Sequence, residues 1–249
     1  MIRSLIVAVA LSSQVAAQTV VIRAANILDG KGGRIANGAI VVQNGAIADV
    51  LQGAAARTNP PGALVYDLGA ATVMPGLIDV HVHPAWYFNA AGRLHSRGDG
   101  DTPEQTTLAI ANNLRRMLLS GVTTAQSIGA SEDAYFRAAI ASGAIVGPRL
   151  LTSLGQISND RLTPDSLRAL IRQRKAEGAD VIKIFGSRSI RESGASTMSA
   201  EQMNAMCGEA KALRIRTIVH AHSAESMERA VNAGCTQIEH GIFVTPEVL

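Results

Sequence analysis

Met74-Pro75-Gly76-Leu77-Ile78-Asp79-Val80-His81-Val82-His83-Pro84 is the stretch on which the reading of this chain turns. It is an apolar strand that delivers two histidines, two residues apart, at its end. Residues i and i+2 of an extended strand leave the same side of the backbone, so His81 and His83 can aim both imidazoles at one point. A metal ion suits such a point better than bulk solvent does, because three further candidate ligands follow: Lys183, His220 and His240. Each lies in or at the end of another apolar strand.

Outward from this stretch, strand and helix patterns alternate six times. Strands are predicted at about Val73 to Val80, Val122 to Ser127, Arg149 to Ser153, Asp180 to Phe185, Arg216 to His220 and Thr236 to His240. Helices between them carry start and stop signals. Thr102-Pro103-Glu104-Gln105 and Ser199-Ala200-Glu201-Gln202 read as capping boxes, Thr163-Pro164 and Ser223 open two more helices, and Ser131 to Gly143 makes another. Gly121, Gly178 and Gly234 close three of them. Such alternation predicts an α/β fold with a parallel sheet, and strands apolar on both faces fit a (β/α)8 TIM-like barrel of which about six βα units are present. An open doubly wound sheet is disfavoured, since no glycine-rich phosphate loop follows the first strand. In a barrel the strand ends gather at one mouth, which brings His81, His83, Lys183, His220 and His240 together.

Upstream, residues 18 to 72 read as short strands broken by glycine turns, with a hairpin at Asn44-Gly45. This predicts part of a small β-sandwich domain before the barrel at residues 73 to 249. Residues 1 to 17 have a different character. Arg3, the apolar run Leu5 to Leu11 and the small-residue site Val15-Ala16-Ala17 form a secretory signal peptide pattern, too short to span a bilayer. Periplasmic or secreted localisation without a membrane anchor is the expectation.

Composition agrees with a globular class, with 47% of residues hydrophobic and 17% charged, and with no low-complexity tract. The net charge is +3, but the basic residues are scattered and no aromatics interleave with them, so nucleic acid is not an indicated partner. Cys207 and Cys235 have neither metal-type nor redox-type spacing, and two buried free thiols are expected.

Lys183 is the most telling single residue, because lysine is rarely buried without a partner, yet Val181, Ile182, Ile184 and Phe185 flank it. Burial near cations favours the neutral amine, which is nucleophilic enough to take up carbon dioxide as a carbamate. The competing reading is a lysine that snorkels its head to the barrel rim.

Met74 to His83, Val181-Ile182-Lys183-Ile184, Val219-His220-Ala221-His222 and Ile238-Glu239-His240-Gly241 together resemble the metal-dependent amidohydrolase superfamily, in the branch of imidazolonepropionase-like proteins and prolidase-like dipeptidases. The resemblance implies that His81 and His83 bind one divalent metal, that carbamylated Lys183 bridges two, and that His220 and His240 bind the second, zinc being the expected element. It implies hydrolysis of a carbon–nitrogen bond in a small amide or peptide, a dipeptide or N-acyl amino acid, through a metal-bridging hydroxide. A deaminase or cyclic amidase on the same barrel is the alternative. His222 and Arg188 are candidate substrate contacts, with Arg191 beside the latter. The family's strand-eight aspartate has no counterpart before Leu249, and Thr245-Pro246-Glu247 looks like the start of a sixth helix. Residues 1 to 249 are therefore expected to be a C-terminally truncated form, inactive alone.

The export pattern has a direct check. Protein recovered from the periplasm is expected to begin at Gln18 by intact mass. Retention of Met1 in a cytoplasmic fraction would overturn export.

Overall fold

The computed structural model describes residues 18–89, 91–95 and 98–249, so the export segment lies outside the described residues. The chain divides into two compact units, Met1–Pro75 and Gly76–Leu249.

In the first unit β1 (Val20–Leu28), β2 (Arg34–Gln43), β3 (Ala46–Leu51), β4 (Leu64–Asp67) and β5 (Thr72–Val73) form one sheet in the order β3-β2-β1-β4, with β5 also paired to β1. Asn44 and Gly45 join β2 to β3 with φ values of 52° and 74°, the left-handed pair that a two-residue hairpin turn demands. Val21, Ala39 and Val41 bury one face beneath Ala56 of a short 3-10 turn, whereas Ala24, Ile27 and Ile40 cluster on the other. Among the described residues this unit is a single mixed sheet. Its β4 and β5 extend β1 in parallel along that strand's second edge.

The second unit contains β6 (Leu77–Val82), α1 (Pro103–Leu119), β7 (Val122–Ser127), α2 (Asp133–Ala141), β8 (Arg149–Thr152), β9 (Gln156–Ile157), α3 (Pro164–Ala176), β10 (Val181–Phe185), α4 (Ala200–Ala212), β11 (Arg216–Ser223), α5 (Ala224–Asn232) and β12 (Gln237–Phe243). Its strand pairs are parallel, in two sheets of order β6-β7-β8 and β9-β10-β11-β12. The sheets are tied where Asp180 N–H donates to the Thr152 carbonyl over 2.8 Å and Thr152 N–H donates to the Asp180 carboxylate over 2.9 Å. Among the described residues both β6 and β12 keep an unpaired edge, so the arc is α/β with parallel sheets but is not a closed barrel. Thr245-Pro246-Glu247, expected as the first turn of a sixth helix, forms a turn closed by the Val248 and Leu249 N–H groups on the Thr245 carbonyl.

Both capping boxes form. Thr102 and Gln105 exchange side-chain and backbone bonds at the start of α1, as do Ser199 and Gln202 at the start of α4. The Gln202 amide also donates to the Asp160 and Leu162 carbonyls, so the cap of α4 holds the loop that leads into α3. Two packing layers follow from strand alternation. Ile182, Ile184 and Val219 face Leu167, Ile171, Met203, Met206 and Met227 of the helices. Val181 and Ile218 turn the other way and pack with Ile128.

Cys207 of α4 and Cys235, in the turn before β12, form a disulfide with Cα atoms 5.1 Å apart. This overturns the expectation of two free thiols. Helix packing brings together two residues whose separation of 28 in sequence carries no signal. In the chain-entropy view, closing that loop stabilises the fold by roughly 3 to 4 kcal/mol. Native protein should therefore resist thiol alkylation until reductant is added, and Cys207→Ser should unfold at markedly lower denaturant. An alkylatable thiol in the unreduced native chain would show that the bond does not form.

Candidate metal centre

Parallel register decides which side chains share the concave face. Lys183 lies opposite Ile218, Phe185 opposite His220, and His220 opposite Glu239, so Lys183, Phe185, His220 and Glu239 project to one side. Ile184, Val219, Ala221 and Ile238 of the opposite phase pack under the helices. His222 continues the inward phase of β11, because that strand runs on to Ser223 rather than ending at His220. His240 pairs in register with Ala221 and would by alternation point outward. Its φ of 75°, followed by Gly241 at 60°, breaks the alternation. The ring centroid of His240 thereby comes to 4.6 Å from that of His220 and 4.9 Å from that of His222.

One potential ligand nitrogen from each of His220, His222 and His240 falls within 4.8 Å of the others. From the opposite end of the arc, β6 brings His81 to 5.3 Å from His240 and 5.3 Å from His83, ring centre to ring centre. Trp86 stacks on His83 at 4.3 Å, and Phe185 stacks on His220 at 4.5 Å. The Lys183 ammonium nitrogen stands 5.3 Å from the Phe185 ring centre. The loop after β10 closes tightly against β11: Gly194 has a φ of 61°, and a Cβ there would meet the His222 Cβ at 2.6 Å. Glycine alone accepts both constraints at once.

Burial governs the electrostatics. Lys183 is only 2% exposed, and desolvation pushes its pKa from an ordinary 10.5 down to about 8, opposed by the charge of Glu239. An ammonium removed from water loses its hydration and so favours the neutral amine. His83 and His220 fall from 6.5 to about 4, chiefly through desolvation, with neighbouring imidazoles and Lys183 adding to the shift. His222 and His240 are lowered for the same first reason. At neutral pH these rings are uncharged and keep a free lone pair each. The donor set thus fits a borderline divalent cation, since neutral imidazoles suit zinc-like ions. The buried Nδ1 of His222, which has no hydrogen-bond partner, points the same way.

Of the residues singled out from sequence, His81, His83, His220, His240 and Lys183 therefore share one neighbourhood. His222, expected as a substrate contact, lies inside the imidazole cluster. Arg188 meets the cluster through its backbone, whose carbonyl is 3.4 Å from His220 Nε2. Its guanidinium is half exposed and faces Glu192 at 3.8 Å. Sequence reasoning passed over Glu239, whose carboxylate contacts His81 Nδ1. The missed signal was the acid directly before a candidate ligand, two residues after Gln237 on the same phase of the strand. Trp86 was missed as well.

The sequence model of the amidohydrolase family matches residues 72–246. Among curated proteins, 5-methylthioadenosine/S-adenosylhomocysteine deaminase of Nitratidesulfovibrio vulgaris (strain DP4) is 31% identical over 121 residues, which span 44% of this chain and 27% of the deaminase. A crystallised Xaa-Pro dipeptidase with methionine bound in its active site superposes with a TM-score of 0.77 at 28% identity, covering 93% of this chain and 63% of that one. A putative prolidase from Bifidobacterium longum gives 0.74 at 28% identity, covering 94% and 56%. The chain thus spans less than two thirds of the length of these relatives.

The depressed imidazoles make metal-free stability depend on pH. Between about 6.5 and about 4 the unfolded chain binds protons that folded His83 and His220 refuse, so stability is full above this window and is lost as pH falls through it. Denaturation midpoints of the metal-free chain should follow that course, and His220→Asn should make the decline shallower. A flat profile would mean that these rings are not held neutral by burial.

Proposed function

The chain belongs to the amidohydrolase family, and from that premise we propose that it represents a metal-dependent hydrolase of carbon–nitrogen bonds in small molecules. The observation that carries this reading is the convergence of neutral imidazoles around a buried lysine at the strand ends. His81 and His83 would hold one divalent ion, His220 and His240 a second, and Lys183 would link the two, in the frame of a (β/α)8 barrel of which six units are present. Bound there, such ions supply Lewis acidity and make water nucleophilic at neutral pH.

The protein's own side chains prepare this chemistry. Burial holds part of the Lys183 population as a free amine near pH 8, able to form a nitrogen–carbon bond to carbon dioxide with loss of a proton. The carbamate so formed is an anion with two oxygens, which adds oxygen donors to a site rich in imidazole nitrogens. Phe185 and Trp86 shield the faces of His220 and His83. Trp86 is itself exposed and offers an aromatic wall to a substrate side chain. His222, within the imidazole cluster, remains a candidate for holding the substrate carbonyl, and Arg188 for reaching a substrate carboxylate from the loop after β10.

A small peptide or N-acyl amino acid is the preferred substrate class, supported by the dipeptidase and prolidase likeness over nearly the whole chain. Deamination is the second reading, favoured by the shorter likeness to the deaminase. Periplasmic or secreted residence is part of the proposal. It draws support from the disulfide, since such bonds persist in oxidising compartments.

Elemental analysis of the zinc-loaded chain should give about two metal ions, and Lys183→Ala should lose at least one, with partial recovery on addition of short carboxylic acids. Unchanged metal content in the variant would make Lys183 structural. In parallel, the chain continued through the remaining strands of the barrel should cleave Xaa-Pro dipeptides and N-acyl amino acids only with metal present, and residues 1–249 alone should not. Ammonia release from 5-methylthioadenosine, with no peptide cleavage, would favour the deaminase reading instead.

A further inference from the structure

Among the described residues, Glu239 is the acid that register places on the concave face beside His220, and its side chain is only 11% exposed. One carboxylate oxygen contacts His81 Nδ1, and the other accepts from the Gln237 amide. The contact joins residues 158 apart in sequence, linking β6 to β12, which share no backbone pairing among the described residues. A second acid controls the same histidine from below, since the His81 N–H donates to the Asp79 carboxylate over 3.1 Å. His81 is therefore fixed at both backbone and ring.

We infer that Glu239 is a positioning residue, which holds His81 in the Nδ1–H tautomer and so presents Nε2 to a metal ion. This rests on the metal-site reading above. A ring whose Nδ1 carries the proton has its lone pair on Nε2, and a carboxylate on Nδ1–H fixes the rotation of the ring and raises the basicity of the free nitrogen. Gln237 performs the corresponding service for Glu239, because its amide occupies the other oxygen and limits the carboxylate to one direction. The left-handed turn at His240 is what makes the arrangement feasible. Regular alternation would allow either Glu239 or His240 to face inward, and the φ of 75° at His240 allows both.

Zinc titration of the full chain against a chelating dye, together with nitrogen-15 NMR of the metal-free imidazoles, tests the role. Glu239→Ala should weaken zinc binding about 10- to 100-fold and turn His81 from one tautomer into a mixture. Glu239→Gln should recover most of the affinity, because its side-chain oxygen still accepts from Nδ1–H, and circular dichroism of this conservative variant controls for folding. Unchanged affinity and tautomer in Glu239→Ala would overturn the positioning role while leaving the metal reading intact. Equal weakness of the Gln and Ala variants would make the carboxylate a direct ligand and also overturn it. Absence of zinc binding by the wild-type chain would overturn the metal reading, and this inference with it.

Discussion

Each strand of the arc has to serve two masters, because successive side chains leave opposite faces and only one of those faces is covered by helices. Everything else in the second unit follows from that division. Ile182 and Ile184 go to the helix side, and what lies between them must go to the concave side, which is why Lys183 is buried without an apolar reason for being there. On β11 the same phase turns Ile218 inward and then His220 and His222. His220 and His222 reach a common point through the inward phase of β11, and His240 joins them because its left-handed backbone turns it out of the phase of β12.

Concentrating such groups is unfavourable for charged forms and favourable for metal binding, for one reason. Desolvation that keeps His83 and His220 neutral also removes the competition from protons for their lone pairs. The helices contribute at a distance. Leu167, Ile171 and the methionines of α4 and α5 anchor the backs of β10 and β11, and the Cys207–Cys235 bond fastens α4 to the turn before β12. A strand with an unpaired edge is thereby secured at the end opposite its site residues.

Much of this was legible in the sequence. The βα alternation, the capping boxes and the hairpin turn all have short-range chemical signatures, and the described elements fall where those signatures lie. The gathering of His81, His83, Lys183, His220 and His240 was expected from placing each in or at the end of a strand of one parallel arc. Two features were not legible. The disulfide depends on how α4 packs, which no local pattern records. Glu239 was hidden because phase reasoning on β12 assumes extended geometry throughout, and His240 departs from it.

That departure has a consequence for anyone who would redesign the centre. Positions 220 and 222 sit on an extended strand without a left-handed backbone, so the backbone itself does not restrict an exchange of imidazole for thiolate or carboxylate there. Position 240 is different. Its left-handed backbone excludes β-branched residues and favours asparagine, aspartate or glycine among the substitutes. The repertoire of alternative metals that the site could be taught to hold is therefore set by two permissive corners and one restrictive one, and an exchange to aspartate is the change that the backbone at that corner itself invites.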